Sequence, residues 1–116
     1  MKVYKCLKVE RNKTPEVIEI AVNKNDSLYA KVRKIIGAGL IEHVNLPYTD
    51  DNKRYSAILL DEEGKLINKE YCRDFIQWGS TDYIAGTFIV IGMGPDGEYT
   101  SLTENELKRW KYLWRL

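Results

Sequence analysis

The chain is poor in the residues that cross-link small proteins or bind transition metals. Its 116 residues include only two cysteines, Cys6 and Cys72, and a single histidine, His43. The cysteines lie far apart and form no CxxC pair, so the sequence suggests neither a disulfide framework nor a zinc site. Two free thiols are typical of a protein in a reducing cytoplasm.

Long hydrophobic runs and an excess of one charge are also missing. No stretch approaches the ~18 apolar residues that would cross a bilayer, and the first residues form no signal-peptide core. We therefore expect a cytoplasmic protein with no membrane partner. The 18 Lys and Arg residues nearly balance the 17 Asp and Glu residues. The net field therefore gives no long-range attraction for nucleic acid, which is not expected as a partner.

The composition that remains is that of an ordinary folded domain. Hydrophobic residues make up 44% of the chain and charged residues 30%, and a chain of this length has room for one hydrophobic core. We expect a single domain over residues 1–116. The patterns below predict an α+β fold with a mainly antiparallel sheet of about five strands, or a mixed sheet, and two principal helices packed on it.

Alternation of apolar and polar residues predicts most of the strands. Residues 1–10 and 17–22 alternate on either side of a polar turn and predict a β-hairpin. Strands are also predicted over 40–46 and 55–60, joined by the polar segment 47–54 as a long hairpin loop. Residues 84–91 are apolar on both faces, which predicts a central strand or a strand with one face against a partner.

Two amphipathic helices are predicted from their end signals and their apolar spacing. Asn25 or Asp26 can cap the first helix, which ends at Gly37. Thr103 and Glu106 have the spacing of a capping box at the start of the C-terminal helix. Each helix presents a single apolar stripe, as expected of a helix that packs on a sheet.

Two further expectations concern a short helix and the faces of the sheet. The segment from Asn68 to Phe75 is predicted to form a short helical piece, with Tyr71 and Phe75 one turn apart. Because each principal helix has one stripe, both could lie on the same face of the sheet. The remaining apolar positions of residues 84–91 would then be open for self-association, so a homo-oligomer is one expected state.

The segment Gly92–Gly97 matches the GxGxxG pattern and follows a predicted strand. In a dinucleotide site the last glycine lies at the start of the helix that receives the pyrophosphate. Here Pro95, Asp96 and Gly97 form a turn sequence, and further residues precede the helix cap. We interpret the segment as a turn and assign no cofactor.

No catalytic constellation is identifiable, so we do not expect an enzyme. His43 has no assignable partner, and Cys72 beside Arg73 is either a nucleophile or a half-buried structural thiol. The acidic clusters 50–51 and 61–63 coincide with turns and lack the spacing of a metal-binding loop, so no metal is assigned. The basic group over 108–115 is interpreted as complementing the helix dipole, with nucleic-acid contact as the alternative.

Aromatic residues outside the predicted core are the candidates for binding a partner. Tyr48 lies in the polar loop that Arg54 ends, and Trp78 lies in a glycine-containing segment. A tryptophan in such a segment either closes the core or serves as an interface anchor. Tyr48, Arg54 and Trp78 are therefore the predicted contact residues for a protein partner.

Four sequence blocks carry a family resemblance. They are PEVIEI at 15–20, GLIE at 39–42, DEEGKL at 61–66, and DYIAGTF at 82–88 followed by DGE at 96–98 and SLT at 101–103. With these blocks the chain resembles a family of small phage and mobile-element proteins of low-GC bacteria, known only as a domain of unknown function. The family has an Asn-Arg pair where this chain has Cys72 and Arg73. The resemblance implies an accessory protein that acts on host machinery or host defence, and it carries over no catalytic residue.

Two functional hypotheses follow from these observations. The first is a non-enzymatic binding protein that occupies a host protein, as a counter-defence or host-takeover factor. The second is a small-ligand or nucleotide-binding protein, in which Arg73 and Thr87 bind an anionic group and an aromatic ring stacks on a base. Asp82, which opens the last resemblance block, is also a binding candidate. Whether Arg73 and Asp82 form a site is left open.

Overall fold

The computed structural model describes residues 1–46, 54–74 and 82–116. The secondary structure in these ranges is, in chain order, β1 (Lys2–Val9), β2 (Glu16–Val22), α1 (Leu28–Ile36), β3 (Ile41–Asn45), β4 (Tyr55–Asp61), β5 (Tyr71–Asp74), β6 (Tyr83–Ala85), β7 (Phe88–Met93), β8 (Tyr99–Thr100) and α2 (Glu104–Leu113). The fold is α+β, as predicted. Of the helices in these ranges, none is long and apolar enough to cross a membrane.

The strands form two antiparallel sheets. In the main sheet the strands lie in the order β2-β1-β7-β4-β3, and the short β8 pairs with β7 as the sixth strand. β5 and β6 form a separate two-stranded sheet. All pairings among the described strands are antiparallel, which confirms the mainly antiparallel prediction. The predicted N-terminal hairpin is β1 with β2, in which Leu7 pairs with Val17.

The central strand β7 is apolar on both faces because each face packs against a different helix. On one face, Phe88 and Val90 lie in a buried cluster with Trp110 of α2. On the other face, Ile89 lies in a second buried cluster with Val32 of α1. Successive side chains of a strand point to opposite faces, so the expectation that both helices share one face is wrong. These apolar positions are covered within the chain and no longer argue for self-association.

The ends of α1 follow the local sequence, with one correction. Ser27 caps the helix, because its Oγ accepts a hydrogen bond from Ala30 N at 3.0 Å. Asn25 and Asp26, the predicted caps, precede it, and the Asp26 carboxylate accepts a backbone hydrogen bond within the preceding turn. Gly37 ends the helix with φ of 66°, as predicted, since a left-handed backbone conformation favours glycine.

The start of α2 and the turn before β8 are as predicted. Thr103 Oγ1 accepts a hydrogen bond from Glu106 N at 3.1 Å, and Glu106 Oε1 accepts one from Thr103 N at 2.8 Å. The GxGxxG segment forms the turn between β7 and β8, in which Gly97 N donates to Gly94 O at 3.0 Å. Its interpretation as a turn is therefore confirmed.

Two local predictions are wrong, and both errors involve the small sheet. Residues 71–74 form β5, not a helix, because pairing with β6 across a bulge places Cys72 in the core. Phe75 lies outside the described residues. The predicted strand over 84–91 is interrupted, since Gly86 adopts φ of 84° between β6 and β7. A Cβ atom at Gly86 would lie 2.8 Å from Lys69 Cδ, so this break favours glycine.

Candidate functional site

The six binding residues predicted from the sequence do not share one site in the described part of the chain. Tyr48 and Trp78 lie outside the described residues. Arg54, Arg73 and Asp82 each contact different partners. Arg54, Arg73 and Asp82 therefore take part in three separate sets of contacts.

Arg54 joins the beginning of β4 to the beginning of α2. Its Nη2 donates to Ser101 O at 2.9 Å and to Glu106 Oε1 at 3.0 Å. The Glu106 side chain is only 2% exposed, so its ion pair with Arg54 is largely shielded from water. Since the same Glu106 oxygen accepts the capping-box hydrogen bond, Arg54 helps to hold the start of α2.

Arg73 is buried, and its guanidinium binds main-chain carbonyl groups. Nε donates to Trp114 O at 2.9 Å, Nη1 to Cys72 O at 2.8 Å and Nη2 to Lys13 O at 2.6 Å. A further hydrogen bond of 3.3 Å reaches Glu10 O. Arg73 thus connects β5 to the end of α2 and to the turn between β1 and β2. An anionic ligand at Arg73 would have to displace these carbonyl groups.

Asp82 lies exposed just before β6 and pairs with Lys65. The Lys65 ammonium group donates a hydrogen bond to Asp82 Oδ1, and Tyr83 N donates another to the same oxygen at 2.8 Å. These two hydrogen bonds, chiefly that from Lys65, hold the pKa of the Asp82 carboxyl below its ordinary value. Asp82 and Arg73 thus have different partners. Thr87, another predicted binding residue, is half-buried in the connection between β6 and β7.

A cleft of about 340 Å³ lies between the β3–β4 end of the main sheet and β6. Both sheets contribute to its apolar lining, which consists of Val44, Ile58, Leu60, Ile84 and Ala85. The remaining lining residues are polar or aromatic: Glu42, Asp61, Glu62, Lys65, Asp82 and Tyr83. Four of these six side chains are carboxylates and one is a cation, so the cleft is acidic.

Glu42 and Glu62 are the acids of the cleft that are open to a ligand. Both residues are exposed, and their carboxylates make no hydrogen bond or ion pair with another described residue. Asp61 is different, because its side chain is 1% exposed and its Oδ2 lies 2.6 Å from Lys69 Nζ. Lys69 also donates to Gly37 O at 2.8 Å, where a cation complements the C-terminal end of α1. Asp61 therefore belongs to the scaffold.

An exposed aromatic pair lies beside the cleft. The ring centroids of Tyr71 in β5 and Tyr83 in β6 are 5.9 Å apart, and the two residues are 46% and 39% exposed. Lys65 Nζ lies 4.4 Å from the centroid of the Tyr83 ring. Leu66 and Ile67, which follow Lys65 in the sequence, are 80% and 58% exposed. We call Lys65, Leu66, Ile67, Tyr71 and Tyr83 the hairpin surface.

The sequence prediction misses the hairpin surface because it assigns Tyr71 to a helix. Neither strand alternates in burial, because two consecutive residues are buried in each: Cys72 and Arg73 in β5, and Ile84 and Ala85 in β6. Tyr71 precedes the buried Cys72, and Tyr83 precedes the buried Ile84. The contact between the two tyrosine rings has no signature in either segment alone.

His43 has both ring nitrogens within hydrogen-bond distance of neighbouring side chains. Nδ1 lies 2.6 Å from the Tyr99 hydroxyl oxygen, and Nε2 lies 2.7 Å from Asn45 Oδ1. Neither neighbour is a serine or cysteine that a histidine base would activate. The hydrogen-bond neighbours of His43 therefore form neither a Ser–His nor a Cys–His pair.

The two thiols are free and buried. Burial raises the pKa of the Cys72 thiol despite the opposing effect of the Arg73 charge, and Cys72 Sγ donates a hydrogen bond to Val9 O at 3.7 Å. Burial raises the pKa of the Cys6 thiol to about 12. Because the thiolate is the reactive form, both environments disfavour nucleophilic chemistry at neutral pH.

Metal ligands are not clustered in the described ranges. Across residues 1–46, 54–74 and 82–116, no three side chains of the His, Cys, Asp and Glu types are placed to hold a metal ion together. The cleft and the hairpin surface are two features of these ranges that a ligand or partner could use.

Comparison with known proteins identifies a family for nearly the whole chain. The family described as "Domain of unknown function (DUF3846)" matches residues 1–115, and the chain belongs to it. Comparisons with curated proteins and with solved structures give no match. The predicted resemblance to a domain of unknown function is therefore confirmed, while the phage, mobile-element and low-GC origin stays a prediction.

Proposed function

We propose that this member of the DUF3846 family is a non-enzymatic binding protein that occupies a protein partner through the hairpin surface. The observation that carries the proposal is that Tyr71 and Tyr83, whose rings are in contact, are both exposed on a small sheet that also carries the buried Cys72 and Ile84. Tyrosine is enriched at interface hot spots, because its ring contributes a large contact area at a small cost in conformational entropy.

The tyrosines of the hairpin surface are held in place before any partner binds. The Tyr71 hydroxyl donates to Asp74 Oδ1 at 2.9 Å, and the Tyr83 ring contacts both Tyr71 and the Lys65 ammonium group. On the buried side, Arg73 ties β5 to α2. An ordered surface loses little side-chain freedom on binding, which favours affinity.

The biological setting of the proposal comes from the sequence. A phage, prophage or plasmid origin fits the four resemblance blocks, and an accessory protein of that origin would act as a counter-defence or host-takeover factor in the host cytoplasm. Two free buried thiols are consistent with a reducing compartment. The second hypothesis, an anionic ligand at Arg73 and Thr87, has less support because the Arg73 donors already bind carbonyl groups.

Affinity capture from the source host tests the proposal. The immobilised wild-type protein is compared with a Tyr71→Ala/Tyr83→Ala variant, and captured proteins are quantified by mass spectrometry. We expect a specific host protein whose recovery falls at least about tenfold in the variant, the effect of losing a hot spot. Equal recovery by the two proteins would remove the hairpin surface as the contact.

A control variant separates this effect from a general loss of surface area. Val17 in β2 is 40% exposed, close to the 39% of Tyr83, and lies at the far edge of the main sheet. Val17→Ala is expected to leave the recovery of the partner unchanged. Circular dichroism of all three proteins confirms that each is folded.

A further inference from the structure

The outer edge of β3 carries main-chain groups that can pair with another strand. β3 ends the order of the main sheet, and no described strand pairs with its outer side. Leu46 N donates to Ser56 O, and Glu62 N donates to Leu40 O, so the even-numbered residues of β3 bond to β4. In an antiparallel ladder the alternate residues then direct their N–H and C=O groups outward. These residues are Ile41, His43 and Asn45; Ile41 N already donates to the Tyr29 hydroxyl at 3.3 Å, so the donors open to an added strand are those of His43 and Asn45.

The side chains along this edge lead into the acidic cleft. Glu42 and Val44 both line the cleft, so the even-numbered side chains of β3 share its face. A strand added beside β3 would place every second side chain on the same face. Those side chains would contact the apolar lining of the cleft and the carboxylates of Glu42 and Glu62 at its rim.

The charges of the cleft select the kind of side chain that fits. Asp61 is balanced by Lys69 and Asp82 by Lys65, whereas the carboxylates of Glu42 and Glu62 have no partner among the described residues. A lysine or arginine can lay its aliphatic stem on apolar surface and keep its charged end among carboxylates. A carboxylate in the same place would be repelled.

We infer that the β3 edge and the adjoining cleft bind an extended segment of the protein partner that carries Lys or Arg at alternate positions. The inference rests on the proposed function and specifies the chemistry of the partner. Binding of this type uses main-chain hydrogen bonds for affinity and a side-chain pocket for specificity. The cleft adjoins the hairpin surface through Tyr83 and Lys65, so one partner can contact both.

Synthetic peptides of about eight residues, the length of an ordinary strand, test the inference directly. The probes are an alternating Thr-Lys peptide, an alternating Thr-Glu peptide, and a Thr-Lys peptide with N-methyl groups on alternate amides. Fluorescence anisotropy measures affinity, and amide chemical shifts locate the site. We expect the Thr-Lys peptide to bind and shift the β3 amides, N-methylation to weaken it at least about tenfold, and the Thr-Glu peptide not to bind.

Charge reversal on the protein provides the matched control. Glu42→Lys in β3 and Glu19→Lys in β2 make the same change of net charge at exposed positions of the two edge strands. Glu42→Lys is expected to weaken binding of the Thr-Lys peptide at least about tenfold, and Glu19→Lys less than about twofold. Both affinities are measured at about 0.15 M salt, where long-range charge effects are screened. Equal effects of the two variants, no binding of the peptide, or chemical shifts confined to β2 would overturn the inference.

The two proposals fail in different ways. If host-protein capture requires Tyr71 and Tyr83 but is insensitive to Glu42→Lys, the partner uses the hairpin surface alone and the inference about β3 is wrong. If the Thr-Lys peptide binds at β3 while capture is unaffected by loss of the tyrosines, the hairpin surface is not the contact and the proposed function fails at that surface.

Discussion

Arg73 and the carboxylates at the rim of the cleft use charge in opposite ways. Arg73 is buried and directs its donors at carbonyl groups of three separate segments. Glu42 and Glu62 are exposed, and their carboxylates bond to no described residue. The comparison shows that the charged residue most suggestive of a ligand in the sequence holds the fold together. Glu42 and Glu62, which we propose meet a partner, lie in unremarkable positions of a strand and a turn.

The largest effect is expected for Arg73→Met. The substitution leaves the carbonyl groups of Trp114, Cys72 and Lys13 without their donor in a buried region. Because a hydrogen bond to a charged group contributes about 1.5–3 kcal/mol and an unsatisfied buried acceptor costs about 1–3 kcal/mol, we expect a loss of about 4 kcal/mol in the free energy of unfolding. Urea denaturation measures it.

Arg73→Lys is the control for the charge alone. A lysine keeps the charge but lacks the planar array of donors. Most of the loss in the free energy of unfolding should therefore remain. If Arg73→Met lost less than about 1 kcal/mol, the buried hydrogen bonds would not be stabilising in the way described.

Arg54→Ala is the next largest change. It leaves the Glu106 carboxylate, which is 2% exposed, without its ionic partner. Removing one member of a buried ion pair costs about 3 kcal/mol at the lower end of the usual range, which applies here because Arg54 is 21% exposed. A double-mutant cycle with Glu106→Gln should give a coupling energy above about 1 kcal/mol. Additive effects would contradict the direct interaction.

Gly86→Ala tests the connection between β6, which carries Tyr83 of the hairpin surface, and β7 of the main sheet. The residue combines φ of 84° with a Cβ position 2.8 Å from Lys69 Cδ, and we expect a loss of about 2 kcal/mol in stability. Gly97→Ala has a similar φ of 81° but no atom within 4 Å of the added Cβ. It should lose only about 1 kcal/mol, from backbone strain. Equal losses in thermal or urea unfolding would argue against the Lys69 contact.

Substitutions on the hairpin surface should hardly change stability. Tyr71→Ala and Tyr83→Ala remove one exposed ring pair, and each is expected to cost less than about 1 kcal/mol. The same urea experiment used for Arg73 measures this. A loss as large as that of Arg73→Met would mean that the tyrosines belong to the scaffold.

The smallest effect concerns the titration of Asp82. Its lowered pKa means that the folded state favours the ionised carboxylate, so its stabilising contribution is present above the unfolded-state pKa and is lost as pH falls through the folded-state pKa. Carboxyl-carbon NMR titration of the wild type and Lys65→Met should show the pKa rising in the variant. The rise should be incomplete, since Tyr83 N still donates to Asp82. An unchanged pKa would contradict the Lys65 contact.

Much of the fold is predictable from the sequence because its signals are local. The Thr103 capping box, the Gly37 helix end and the turn before β8 depend on residues a few positions apart, and each was found in the structure. The helix predicted over residues 71–74 was wrong because these residues form a strand only through pairing with β6. The prediction of one continuous strand over residues 84–91 was wrong for a related reason. Apolar residues continue across the break at Gly86 while the chain passes from one sheet to another.

The candidate site is harder to predict because it is assembled from distant segments. Glu42, Glu62 and Tyr83 come from a strand, a turn and a separate small sheet, and nothing in any one segment indicates the others. Asp82, a binding candidate from the sequence, lines the cleft in the structure, and its pairing with Lys65 was not predicted. Arg54 stays a predicted contact residue, and its ion pair with the buried Glu106 was not predicted because the two residues lie far apart in the chain.

Site-specific photo-cross-linking in the source host tests the central claim most directly. A p-benzoylphenylalanine at position 83 is compared with one at position 17, where Tyr83 and Val17 are 39% and 40% exposed. We predict a cross-link from position 83 to a host protein and none to that protein from position 17. A cross-link to a host protein from position 17 and none from position 83 would contradict the assignment of the hairpin surface as the binding surface.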